Sequence, residues 1–471
     1  MPTPNAFAYL MICLWPLVAW ALWTRLDPAR ALIWTVLAGY LLLPPLTAIN
    51  LPAVPDLDKD SIPNLAALVL ALLVVGDRIG FDPGNWVGRL LMAMFVLSPF
   101  ATVLTNSEPI RIEAGDIPGI TLYDSVAAVA NQAIVLTAFF LARWYLATPE
   151  AMRAILVALM LAGFAYSVPM LIETQLSPQM NVWVYGFFQH DFFQTVRGAG
   201  YRPVVFLPHG LWVAFFALMS LVAAGTLLRT APAEQRPRYL LACGYLSLLL
   251  LACKSAGPML YAVALAPTIL FLGRRWQFGI AAVLAVLVVS YPLLRGAQLV
   301  PVDRLVEIAM QLNPERALSL AFRIDNEEQL LARAAEKPLF GWGGYTRNMI
   351  HDPASGRVLT IADGAWIIVL GIYGWMGYIA EFGLIALPLV LLGVEALRGG
   401  RDFSAHAAAV ALLLAVNMVD MLPNATMIPF TWLMAGALMG YAQALAAQRR
   451  QMAQARVAAR FHAAPSGKTV I

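Results

Sequence analysis

Runs of about 18 or more apolar residues recur along almost the whole chain, and each is long enough to cross a bilayer as a helix. Charges are sparse, at 12% against 61% hydrophobic residues in 471. A soluble domain is nearer a quarter charged and half apolar. The pattern predicts an all-α polytopic membrane protein with about 12–13 transmembrane helices. Candidate spans are 6–23, 31–48, 62–76, 87–105, 124–147, 151–172, 204–228, 238–253, 257–273, 277–294, 374–397, 404–421 and 425–446, the third being short. The N-terminal stretch lacks a basic leader and a small-residue cleavage site after its apolar core, which predicts a retained first span. Cys13, Cys243 and Cys253 fall in or at the ends of apolar runs. They follow neither a metal-ligand spacing nor a disulfide framework.

These spans divide the chain into six stretches. Residues 1–172 hold the N-terminal helices, 173–203 an aromatic-rich loop, and 204–294 further helices. Residues 295–373 form a large loop with amphipathic helices and a re-entrant segment, 374–446 the last helices, and 447–471 a basic tail. Eighteen of the 31 Lys and Arg fall in alternate short loops and the tail, and five in the opposite short loops. The remaining eight lie in 295–373, too long for the positive-inside rule to weigh. The rule places the tail in the cytoplasm and both long intervals on the outward face.

Three outward cations, Arg197, Arg202 and Lys254, run against that distribution at the membrane surface. Arg202 precedes Pro203, which suits a first helical position, and His209 then falls about two turns deeper, with Pro208 able to bend the helix. Ionisable groups inside spans commonly face a bundle interior, so a cationic site at the mouth of a polar cavity is one reading. An interfacial snorkelling arginine above a bonded histidine is the other. Lys254 sits in a break between two apolar runs, before the helix-start residues Ser255, Gly257 and Pro258. A lysine beside a helix N-terminus favours anions.

The large loop contains an amphipathic stretch, with Phe322, Leu330, Leu331 and Ala334 against Arg323, Asp325, Glu327, Glu328 and Arg333. "PLFGWGGY" follows and is read as a tight turn rather than a phosphate loop. Arg347, His351, Asp352 and Asp363 then become available to an outward site. Trp183, Tyr185, Phe187, Phe188, Phe192 and Phe193 suit an interfacial belt, with His190 and Asp191 among them as weak base candidates.

In this order the segments resemble the bacterial O-antigen ligase and Wzy-type O-antigen polymerase superfamily over roughly residues 200–400. The resemblance rests on Arg202, Pro203, Phe206 and His209, on Lys254–Ser255, on Phe322–Arg323, on Pro338 to Gly343, and on Asp363–Gly364–Ala365–Trp366 leading into "YGWMGYIAEFGL". It implies a glycosyltransferase on the periplasmic face of the bacterial inner membrane, working in surface polysaccharide biosynthesis. An undecaprenyl-diphosphate-linked glycan would be donor, with a glycan or glycolipid acceptor and a chain-length regulator as partner. No cofactor, metal or nucleic acid is implied. Arg202 and Arg323 match the family positions, while Arg197, Lys254 and Arg347 join the diphosphate-binding set from charge and placement. His209 would support the cavity. Ligases of the family carry a His–Asn pair where this chain has Asp363–Gly364, so Asp363 or His351, twelve residues upstream, becomes the expected base, with Arg323 beside it. That departure favours polymerase over ligase. A secondary transporter or lipid-linked glycan flippase is the alternative, although no internal repeat supports it.

Overall fold

A computed structural model describes the chain except residues 1–2, 52–54, 199, 313, 399–401 and 463–471. Arg401 and the end of the basic tail therefore lie outside the described residues. The first six helices are α1 Ala6–Arg25, α2 Pro28–Leu42, α3 Ser61–Leu70, α4 Trp86–Leu104, α5 Leu122–Tyr145 and α6 Pro149–Leu176. After the short α7, Met180–Tyr185, come α8 Gly210–Thr230, α9 Arg236–Ala252, α10 Ala256–Phe271 and α11 Arg274–Gly296. The large loop holds α12 Val302–Leu312 and α13 Pro314–Glu336, and the chain closes with α14 Ala365–Arg398, α15 Ala405–Asp420 and α16 Pro429–His462. All thirteen expected segments are helical, and the described residues form only isolated bridges in place of strands.

Helices α1, α4, α5, α6, α8, α11, α14 and α16 are long and apolar enough to cross a membrane. Four shorter apolar helices join them: α2, α10, α15 and α3 with its continuation to Val75. The protein is an all-α, multi-pass membrane protein. Leu73, Leu104, Phe271 and Leu397 are exposed on the outside of the bundle, where lipid takes the place of water. The arginine-bearing helix ends gather on one face. Arg143 donates to Gln443 on α16 at 2.9 Å, Arg229 to Leu272 O at the end of α10 at 2.8 Å, and Arg274 to Phe403 O before α15 at 2.9 Å. At the opposite ends, Asn5 N donates to Tyr185 O at 2.9 Å and Lys59 Nζ to Phe206 O at 2.9 Å.

The centre of the bundle is α15, which packs on α6, α8, α11 and α16 and is buried over most of its length. Without a hydrophobic drive between helices in lipid, close approach of backbones does much of the packing. Gly436 and Gly440, four apart on α16, supply it: a Cβ on either would run into the carbonyl oxygen of Phe139 or Arg143 on α5. Gly436→Ala is expected to destabilise the protein by about 1–3 kcal/mol through overpacking. A drop in the unfolding temperature in detergent checks this, and an unchanged temperature would mean that α5 and α16 have room to part.

The larger differences from expectation each have a physical reason. Helix α2 ends at Leu42, not at 48, because Pro44 holds Leu43 out of the helical region. Helix α8 starts at Gly210, not near 204, so Arg202, Pro203 and Pro208 precede it and His209 is its N-cap. The intervening backbone is held instead by Glu173 of α6, whose Oε2 accepts from Val204 N at 2.7 Å and Val205 N at 2.8 Å. That anchoring holds Val205 at φ 51°, a left-handed conformation costly for a β-branched residue. The span expected from 374 begins at a break, Gly374 at φ 63°, ψ −165°, between a short helical piece from Ala365 and the long remainder of α14. On α13, Leu330 and Ala334 are buried as expected but Phe322 is exposed, and Glu327 turns inward. There it accepts from Trp366 Nε1 at 3.0 Å and lies 3.9 Å from Arg295 at the end of α11. Those contacts dock the amphipathic helix onto the bundle.

Candidate functional site

Residues 192–198 and 200–202 fold back against each other above the bundle. Val196 and Tyr201 form an antiparallel bridge, Arg197 N donates to Gly200 O at 2.9 Å, and Arg202 N to Thr195 O at 2.8 Å. The fold-back brings Arg197 and Arg202 beside the start of α8. Two glycines make room for the cations. A Cβ on Gly210 would strike the Cγ and Cδ of Arg202, whose chain crosses the first turn of α8, and one on Gly200 would stand 2.6 Å from Lys254 Nζ. Lys254 occupies the break between α9 and α10 at φ 51° and donates from Nζ to Arg197 O at 3.2 Å.

The result is a cavity of about 830 Å³ lined by Arg197, Arg202, Lys254 and Arg323, with His209, Gln194, Ser319, Leu211 and Ala256 among the rest. No carboxylate lies among its described lining residues. Arg323 enters from α13, with Nε 3.3 Å from Asp363 Oδ2 and Nη1 donating to Pro423 O at 3.4 Å. The first turns of α8 and α10 both abut the space, through Leu211 and Ala256. The positive ends of two helix dipoles therefore add to four cationic side chains. The apolar wall from Leu251 and Met259 lowers the local polarity and strengthens each of those fields. An anion carrying two negative charges suits such a space.

Comparison with protein-family models and with curated proteins returns no match. The assignment therefore rests on this geometry and its chemistry.

Among the described lining residues, His209 is the one whose side chain ordinarily titrates near neutral pH. Its Nδ1 accepts from Leu211 N at 2.9 Å, which leaves the proton on Nε2. Burial, then His190 with its ring centroid 4.2 Å away, then Arg202, Arg323 and Arg197 push its pKa down to about 3. The imidazole is thus a neutral donor. In the unfolded chain an ordinary imidazole protonates near pH 6.5. The folded state binds fewer protons between these values, so stability present above pH 6.5 is lost as pH falls toward 3. At pH 5 the loss is roughly 2 kcal/mol. His209→Asn keeps a good cap without the titration and is expected to flatten the fall in unfolding temperature between pH 7 and pH 5. An equally steep fall in that variant would remove His209 as its source.

Two expected site residues lie elsewhere. Arg347 is buried away from the cavity, donating to Trp342 O at 3.1 Å, Pro118 O at 2.7 Å and Glu108 O at 3.0 Å. It ties the 108–118 loop to the glycine-rich turn. His351 sits in a small bridge with Val358, its Nε2 3.1 Å from Thr346 Oγ1, and does not line the cavity. Asp363 is adjacent through Arg323. Sequence reading missed Gln194, Ser319 and the two glycines. The "GAGYR" and "HG" sequences hold the signal, since glycine beside a long cation permits close approach.

Proposed function

We propose that the chain is a glycosyltransferase of the outward face of a bacterial inner membrane. Its donor is an undecaprenyl-diphosphate-linked oligosaccharide used in surface polysaccharide biosynthesis, and polymerisation is favoured over ligation to a glycolipid. One observation carries the reading: Arg197, Arg202, Lys254, Arg323 and His209, distant in sequence, line a single cavity at the end of the bundle opposite the arginine-rich face. A scaffold has no use for four converging cations. A transporter would place its charges nearer the midplane.

In this reading the acceptor hydroxyl oxygen attacks the anomeric carbon. The glycosyl–oxygen bond to diphosphate breaks, and undecaprenyl diphosphate leaves with the bonding electrons. Negative charge grows on the leaving oxygen, where Arg202 and Arg323 give charge-assisted hydrogen bonds and Lys254 and Arg197 add field. His209 donates from Nε2. Asp363, held by Arg323, receives the hydroxyl proton. The side chains supply the counter-charge that a divalent ion supplies elsewhere.

The test is reconstitution of purified protein with a lipid-linked repeat unit, products read by mass with and without EDTA. A ladder of longer lipid-linked chains indifferent to EDTA is the expected result. Transfer only after addition of an acceptor glycolipid would make it a ligase. No turnover under either condition would overturn the transferase reading in favour of transport.

A further inference from the structure

Helix α13 lies flat across the end of the bundle opposite the arginine-rich face. Arg323 Nη1 donates to Pro423 O, just past α15, at 3.4 Å, and Lys337 Nζ, just past α13, to Thr105 O at the end of α4 at 2.7 Å. About 21 Å of helix separates these anchors, with Leu330 and Ala334 buried between them. Helix α12 packs along α13 and on no other helix to a comparable extent. It therefore lies flat as well, beside the bundle and not over it.

Its start is tethered to the membrane. Helix α11 is long and apolar enough to span, and residues 297–301, which join it to α12, reach at most about 17 Å. They turn back on the end of α11, where Ala297 N donates to Leu293 O at 2.9 Å, Gln298 N to Arg295 O at 3.0 Å and Leu299 N to Leu294 O at 2.9 Å. Leu293 and Leu299 are exposed, so the lipid-facing surface of α11 continues up to α12.

The side chains of α12 are sorted around the helix. At roughly 100° per residue, Val302, Leu305, Val306, Ile308, Ala309 and Met310 share one side, and Asp303, Arg304, Glu307 and Gln311 the other. The middle of the apolar side, Val302, Val306 and Ala309, is half-buried toward α13. Leu305 and Ile308 form an uncovered flank, 50% and 54% exposed. The charges fit lipid on that flank. Arg304 is one turn before Ile308 and beside it, at the height of lipid phosphates, while Asp303 and Glu307 lie further round, away from them.

We infer that α12 lies in the headgroup–acyl boundary of the bilayer on its Leu305–Ile308 flank. The lipid surface is then the partner of the arm that carries Ser319 and Arg323 to the cationic cavity, whatever reaction that cavity serves.

Spin labels test this in the full chain, in phosphatidylcholine nanodiscs. Labels are placed singly by Leu305→Cys, Ile308→Cys, Asp303→Cys and Glu307→Cys, with Cys13→Ser and Cys243→Ser to clear the background and Cys253 left buried. Each labelled protein must keep the wild-type size-exclusion profile. At 305 and 308, relaxation by oxygen is expected to exceed relaxation by a water-soluble nickel chelate, and at 303 and 307 the order is expected to invert. Nickel preference at all four positions would put the flank in water and overturn the inference. Oxygen preference at all four would bury the helix in the acyl region and overturn it too. Shielding of 305 and 308 from both relaxers would replace lipid with protein as the partner, and spin–spin broadening would identify that protein as a second copy.

Discussion

Replacing Arg202 by alanine is expected to lower turnover of the lipid-diphosphate donor about 100- to 1,000-fold, the usual cost of removing one preorganised donor from a developing oxyanion. The loss belongs in kcat more than in KM, because charge on the leaving oxygen grows toward the transition state. Arg202→Lys should recover part of the rate: a point charge remains, but the planar fork does not. Gly210→Ala offers an independent check. The guanidinium stays in the protein while the new Cβ occupies the space of the Arg202 side chain, so a displaced charge is expected to cost about tenfold. Rates within threefold of wild type for Arg202→Ala, in protein with an unchanged unfolding temperature, would sink the diphosphate role. Arg347→Ala separates the two kinds of arginine. Three carbonyl oxygens lose their donor there, so that variant should fall in stability before it falls in rate.

The contrast between Arg202 and Arg347 also marks how far the sequence could be read. Apolar length is a property of single segments, and each of the thirteen segments it marked contains a helix. Arg197, Arg202 and Lys254 stood out because they break the one-sided distribution of basic residues. What could not be read was pairing at a distance. Arg347 looked available because the carbonyl of Glu108 that satisfies it lies 239 residues away. The start of α8 moved to Gly210 because Glu173, 31 residues before Val204, holds the approach to the helix through backbone N–H groups. Pro203 fits a first helical position by local propensity, and a tertiary bond overrides it. Glu327 looked solvent-facing by periodicity, yet Trp366 and Arg295 draw it inward. In each case a polar group found its partner on another element, and the burial of that partner is invisible to spacing.

The largest structural effect is expected at the junction of the glycine-rich turn with α14. Trp342 N donates to Gly371 O at 2.8 Å and Gly343 N to Ile372 O at 2.9 Å, while Trp375 N and Met376 N return bonds to Pro338 O and Leu339 O at 2.8 and 3.1 Å. Four main-chain bonds thus splice "PLFGWGG" onto the break in the helix, and the two backbones touch. A Cβ on Gly374 would lie 2.5 Å from Leu339 C, and one on Gly341 2.5 Å from Ile372 C. Both glycines have positive φ, 63° and 66°, so conformational strain adds to the clash. Gly374→Ala or Gly341→Ala is expected to cost roughly 3–5 kcal/mol from the two terms together, enough to leave little folded protein. Gly344→Ala is the control: nothing lies within 4 Å of its added Cβ, and its unfolding temperature should stay near wild type. Size-exclusion profiles and thermal unfolding in detergent read all three. The splice fixes the short helical piece that follows Asp363 against the long remainder of α14. A folded Gly374→Ala protein with wild-type stability would therefore mean that α14 runs continuously through the break.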